Sequence, residues 1–291
     1  MKTPDELRQF FRTCELLVVD MDGTCLDRTG KSSPATLPVL RAVQERGIVV
    51  VPASGRGTEG IGRALGTLEG FEYAISSNGA LVSDLRTGEV LRAVHMERGV
   101  VADIVDEVMN ESTIIHVIEV GEGAGQLRGC GGDEAKVDFG FKDPYRQRGG
   151  PERPPATPDL AQRVREGTPF VEKIGITFGV PVTFEQIEEV LARYPMVEGF
   201  RTARHIIEVS ALGANKGAAL AFLCGHLGID PARACAIGDN GNDVSMFQTA
   251  GLGVAMRNAP ERVQAQADCV TEFDNDHEGV ARFLQTYALG A

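Results

Sequence analysis

Residues 16–30 read LLVVDMDGTCLDRTG, from Leu16 to Gly30. Four apolar residues run straight into two acids one residue apart, Asp20 and Asp22, followed at once by Gly23 and Thr24. A continuous apolar run of strand length reads as a β-strand covered on both faces, as in parallel sheets. Two like charges at its end repel and raise one another's pKa, so stability alone does not select them. The stretch points to a cation between the acids, or to chemistry that needs both.

Outward from this strand the chain alternates. The stretch 33–47, opened by Ser33 and Pro34 and stopped near Gly47, reads as a helix. IVVVPAS (48–54) is a second buried strand, 58–70 a weaker helix, and YAISSNGALV (73–82) a third strand leading into a turn at Asn78-Gly79. This βαβαβ order implies parallel strands joined by right-handed crossovers. From about Ser83 to His205 the character changes to α+β. It holds a hairpin-like pair of strands, a helix near 97–109, a strand TIIHVIEV (113–120), a strand EKIGITFG (172–179) and a helix from Phe184 capped by Thr183 and Gln186. HIIEVSA (205–211) closes that stretch. The Gly-rich segment 121–132 lacks phosphate-loop spacing and reads as a surface loop within a Gly-, Pro- and Arg-rich passage reaching Pro158. Alternation then resumes with a helix from Lys216 to Leu227, strands ACAIGD (234–239) and GLGVAM (251–256), and a terminal helix. The expected fold is α/β: a Rossmann-like parallel-sheet core, 1–83 with 206–291, interrupted by an inserted α+β cap domain, 84–205.

The formal charge of −12 over 291 residues argues against nucleic acid or an anionic membrane surface as partner, though a local pocket can still take an anionic small molecule. Six scattered cysteines form no C-x-x-C pair, which favours reduced thiols and a cytoplasmic setting. The N-terminus reads as a helix capped by Thr3, with Pro4 first and Glu6 completing a capping box, rather than as a leader. No apolar run reaches membrane-spanning length.

Four islands carry the candidate chemistry. Asp20, Asp22 and Thr24 lie at the carboxyl end of the first strand, where open parallel sheets bind ligands. Residues two apart on a strand share a face, so Asp20 and Asp22 are expected to converge on one point; the plain alternative is a solvated Asx-turn. Ser54, Gly55 and Arg56 end the second strand and offer a hydroxyl and N–H groups to an anion, or form an ordinary turn. Lys216 sits in the first turn of its helix, where a cation opposes the helix dipole, which suits a charge kept for an anionic ligand. Finally, Asp239, Asn240, Asn242 and Asp243 crowd one strand-to-helix turn, more acids and amides than an N-cap needs. Hard oxygen ligands in such excess suit Mg²⁺.

DMDGT, SGR, NKG and GDNGND, in that order, resemble the four motifs of the haloacid dehalogenase-like phosphatases. The large insertion between the second and third motifs, with the later MRNAPERVQAQADCV, is similar to the Cof-like hydrolases. The resemblance implies Mg²⁺ held by Asp20, Asp239 and the backbone carbonyl of Asp22, with Asp20 as nucleophile and Asp22 as proton shuttle. It further implies Ser54, Gly55, Lys216 and Asn242 on the phosphoryl oxygens, Asp243 orienting Lys216 or a metal-bound water, and Asn78 at the entrance. The cap would close over the site, with Arg201, Arg204 and His205 as candidate contacts; surface cations are the plain alternative. A small phosphate ester, a sugar phosphate foremost, is the implied substrate. The second Asp favours phosphate chemistry over dehalogenation, and Met21 and Asp22 argue against the D-K-T-G-T motif of P-type ATPases. Phosphoglycerate-type or sucrose-type phosphatases, a phosphomutase, and a non-catalytic phosphate-ligand sensor remain as alternatives. Oligomeric state is not legible.

Overall fold

The computed structural model describes residues 1–120, 126–131, 156–167 and 170–290. The chain divides into two compact units, Met1–Ala93 with Ala214–Ala291, and Val94–Gly213. The first half of the first unit contains helix α1 (Pro4–Phe11), strand β1 (Leu16–Asp20), α2 (Thr36–Glu45), β2 (Val49–Ala53), α3 (Thr58–Leu65), β3 (Tyr73–Ser76), β4 (Leu81–Asp84) and β5 (Val90–Ala93). The second unit holds β6 (Met96–Glu97), α4 (Arg98–Val108), β7 (Thr113–Val120), β8 (Gln126–Cys130), α5 (Leu160–Glu166), β9 (Phe170–Phe178), α6 (Phe184–Leu191), β10 (Val197–Ala203) and β11 (Ile206–Ala211). The chain then completes the first unit with α7 (Lys216–Leu227), β12 (Ala234–Gly238), α8 (Val244–Thr249), β13 (Leu252–Ala255), α9 (Glu261–Gln264), β14 (Cys269–Val270) and α10 (Gly279–Leu284).

The first unit's sheet runs β14-β13-β12-β1-β2-β3-β4-β5. Pairs from β14 through β3 are parallel, and the β3-β4-β5 edge is antiparallel. β1 lies between β2 and β12, with Leu16 opposite both Val49 and Ala234. Strand order reverses there, and a doubly wound sheet opens a crevice at the carboxyl ends of such a pair of strands. The run Leu16-Leu17-Val18-Val19 is apolar throughout because its side chains alternate between two cores. Leu17 and Val19 pack with Ile237 and Val254 on one face, while Leu16 and Val18 pack with Leu220 and Leu223 on the other. The second unit's sheet is antiparallel, in the order β10-β11-β9-β7-β8 with β6 on β9.

The units meet their boundaries about ten residues later on each side than positions 84 and 206. β5 stays with the first sheet through its ladder to β4, and β11 belongs to the second through ladders to β9 and β10. Within the expected loop 121–132, Gln126–Cys130 is a strand, paired to β7 with His116 opposite Arg128. Gly129 is favoured by packing rather than by a turn, since a Cβ there would displace the Leu160 and Met109 methyl groups. Within the Gly/Pro-rich passage, 121–125 and 132–155 lie outside the described residues. β10 and the two-residue β14 are strands that the sequence pattern did not signal. Among the described residues the six cysteines are free thiols, and no helix is long and apolar enough to cross a membrane.

Candidate active site

Asp20 is the last residue of β1 and is 5% exposed. The Nζ of Lys216, whose side chain is fully buried, donates to Asp20 Oδ1 and, at 2.6 Å, to Asp243 Oδ1. Asn215 caps α7, its Oδ1 accepting from the Ala218 N–H at 2.9 Å, and so fixes where the helix starts and where Lys216 projects. The unfavourable dipole position is offset by the two carboxylates. Burial opposes the ammonium charge, but Asp20 and Asp243 outweigh it and raise the lysine above its ordinary pKa. Asp243 is also fully buried, and its Oδ2 accepts from the backbone N–H groups of Asp239 and Asn240, each at 2.9 Å. One carboxylate thus shapes the turn after β12 and orients the lysine. Gly238 makes this possible, because a Cβ there would occupy the space of the Asp243 carboxyl group.

The opening pair of acids takes different partners. β1 ends at Asp20, so the two-residue period does not extend to Asp22. The chain turns there, with the Cys25 N–H bonded to the Asp20 carbonyl and the Leu26 N–H to the Met21 carbonyl. Asp22 faces solvent, its side chain 43% exposed, and is gripped by Arg56, whose Nε and Nη2 donate at 2.7 and 2.6 Å. Ser54 is buried at the end of β2, and its Oγ accepts from the Arg56 N–H at 3.1 Å; Gly55 follows in the same turn. Asn78 is 1% exposed and does not line an opening. It adopts a left-handed backbone (φ 57°), donates its N–H to the Ser54 carbonyl at 2.9 Å, and accepts from Asn242 Nδ2 at 2.9 Å. Asn78 therefore ties the turn after β2 to the turn after β12. In the second unit Arg201 donates to the Arg204 carbonyl at 3.0 Å and stacks on Phe184, 4.8 Å from the ring centre. The His205 carbonyl accepts from the Phe178 N–H at 3.0 Å.

Asp20, Asp239 and Asp243 present carboxylate oxygens within 4.8 Å of one another. With all three ionised against one ammonium, the cluster carries two net negative charges (−3 + 1). Burial pushes both Asp20 and Asp239 up from the ordinary carboxylate value, and neighbouring carboxylates add to it, Asp243 for Asp20 and both others for Asp239. Among the described residues, the Asp239 carboxylate is the underused member, accepting hydrogen bonds at 3.4 Å from Thr24 Oγ1 and Asn258 Nδ2. A hard divalent cation matches this excess of oxygen and charge, so the donor set fits such a metal.

Asn258 escaped the sequence reading. Its Nδ2 donates to the Gly23 carbonyl at 2.8 Å as well as reaching Asp239, and its Oδ1 accepts from the Asn275 N–H at 3.2 Å. The available signal was its place just beyond β13, at the same carboxyl edge of the sheet.

The sequence profile of the haloacid dehalogenase-like hydrolases matches residues 17–284. The chain is 29% identical over 289 residues to the phosphatase YwpJ of Bacillus subtilis, covering 93% of this chain and 99% of that one. It is 26% identical over 289 residues to the 5-amino-6-(5-phospho-D-ribitylamino)uracil phosphatase YwtE of the same organism, covering 94% and 98%. Among solved structures, one from Bacteroides thetaiotaomicron, described among phosphatases of the haloalkanoate (HAD) superfamily, aligns with a TM-score of 0.73 at 25% identity, covering 95% and 96%. A match that begins in β1 and ends in α10, on a sheet that gathers all four motifs at one edge, makes this chain a member of the haloacid dehalogenase-like hydrolases.

Proposed function

We infer that the protein is a Mg²⁺-dependent phosphomonoesterase for a small phosphorylated metabolite, with a sugar or polyol phosphate as the substrate class. The observation that carries this reading is the buried Asp20 at the end of β1, paired with Lys216 and set beside Asp239 and Asp243. The phosphatases YwpJ and YwtE among its relatives support the reaction class, and the phosphorylated ribityl compound in the name of YwtE supports the substrate class.

Asp20, Asp239 and the backbone carbonyl of Asp22 would hold the metal. When bound, Mg²⁺ supplies positive charge that keeps Asp20 ionised and withdraws charge from the phosphoryl oxygens. Asp20 attacks phosphorus in line with the ester bond; the new bond to its carboxylate forms as the bond to the leaving oxygen breaks. Asp22 gives its proton to that oxygen. It then takes a proton from the water that attacks the aspartyl-phosphate, releasing phosphate and restoring both acids. Ser54, the Gly55 N–H, Lys216 and Asn242 hold the phosphoryl oxygens as charge develops on them, and Thr24 steadies Asp239.

The test is phosphate release from an aryl phosphate and from a panel of sugar phosphates, with Mg²⁺ or with chelator. Asp20→Asn is expected to reduce turnover by roughly a thousandfold or more, as loss of a nucleophile does. Equal release by wild type and D20N would remove Asp20 from the role of nucleophile.

A further inference from the structure

Asp22 is the carboxylate of the DMDGT motif that the buried cluster does not claim. Arg56 takes both of its oxygens in a side-on fork at 2.6 and 2.7 Å, which fixes the position and the plane of the carboxyl group. The two side chains are 37% and 43% exposed, and a fork of two parallel bonds adds geometric specificity as well as energy. Arg56 is itself well located. Its N–H donates to Ser54 Oγ at 3.1 Å, its carbonyl accepts from the Ser77 N–H at 2.9 Å, and its stem lies against Gly60 of α3, where a Cβ would sit 3.1 Å from the Arg56 Cβ. A side chain anchored on the turn after β2 thus holds one on the loop after β1.

We propose that Arg56 is the positioning residue for Asp22, setting the orientation from which Asp22 serves the leaving oxygen. The proposal rests on the phosphatase reading above and concerns geometry: Arg56 acts through Asp22 and makes no bond to the phosphoryl group. The distinction is measurable because leaving groups differ in their need for a proton. When the bond from phosphorus to the ester oxygen breaks, an alkoxide must receive the Asp22 proton, whereas 2,4-dinitrophenolate departs without one. The parameter kcat/KM reports the steps through that departure.

Arg56→Ala is expected to lower kcat/KM for an alkyl ester such as a hexose 6-phosphate by about 10- to 100-fold, in line with misplacement of a reacting group. For 2,4-dinitrophenyl phosphate the loss is at most about threefold. Asp22→Asn shows the same leaving-group signature more strongly, general-acid loss being typically 10²–10⁴-fold. The double variant is no slower than D22N, and Arg56→Lys recovers part of the loss. A fall of equal size on both esters would make Arg56 a direct phosphoryl contact and overturn the proposal, as would additive losses in the double variant. A readout independent of turnover is the side-chain Nε–H resonance of Arg56 in ¹⁵N-arginine-labelled protein. It should be protected from exchange in wild type and lose that protection in D22N. Absence of that protection in wild type would refute the pair whatever the activity. If wild type hydrolysed neither ester while the protection was present, the fault would lie with the phosphatase reading, and the catalytic part of the proposal would fall with it.

Discussion

Replacing Lys216 by Met would leave Asp20 and Asp243 buried without their shared cation. Removing one partner of a buried ion pair typically costs about 3–5 kcal/mol, because the remaining charge has neither water nor a counter-ion. Lys216→Met is therefore expected to lower unfolding stability by that order in a denaturant titration of metal-free protein. Adding Asp243→Asn should change it by less than the sum of the single effects, since both act on one network. Strict additivity would mean that the ammonium and the Asp243 carboxylate do not interact in solution. Arginine would not substitute here: a planar fork needs more room than the point charge that fits between these two oxygens.

Two glycines on the loop after β1 separate conformational strain from crowding. Gly23 and Gly30 both have positive φ, 82° and 79°, where a Cβ costs roughly 1–2 kcal/mol. A Cβ at Gly30 meets nothing within 4 Å, whereas one at Gly23 runs into the Asp239 carboxylate. Gly30→Ala should therefore lose only that modest stability and keep its turnover. Gly23→Ala should also displace Asp239 relative to Asp20 and reduce Mg²⁺-dependent turnover by about 100-fold, as an ångström-scale shift at a reacting centre can. Similar activity in the two variants would show that the loop absorbs the added methyl without moving Asp239. Other features of the elements followed from local chemistry alone. Thr3 with Glu6 and Thr183 with Gln186 form the capping boxes that their spacing announces, because a cap needs only groups three residues apart.

Stability of the whole molecule should respond to pH and metal together. In the unfolded chain Asp20 and Asp239 titrate near the ordinary value of 3.8, and folding raises both. Between the unfolded and folded values the folded state binds more protons, so stability falls as pH rises. Metal-free protein is expected to lose stability from above pH 3.8 into the neutral range, seen as a falling Tm. Mg²⁺ at about 100 times its Kd adds about 2.7 kcal/mol, or roughly 5–10 °C for a chain of this size. That gain should shrink as the pH is lowered and be absent in Asp239→Asn. A Tm gain from Mg²⁺ that D239N retains would place the cation elsewhere.

The alternation of strands and helices, the interruption of an α/β unit by an α+β one, and the gathering of four islands at one sheet edge were all legible before any coordinates. Each rests on periodicity, caps or strand ends, which are properties of neighbouring residues. What stayed hidden depends on partners remote in the chain. Asn258 meets Gly23 across 235 positions, and Gln126–Cys130 is a strand because β7 supplies its ladder. The edges of the units follow the ladders of β5 and β11 rather than any change in composition. The two acids of DMDGT look equivalent in sequence, yet the turn after β1 buries one against Lys216 and hands the other to Arg56. Their different surroundings are a matter of burial and of which cation lies within reach, and only the folded chain determines either.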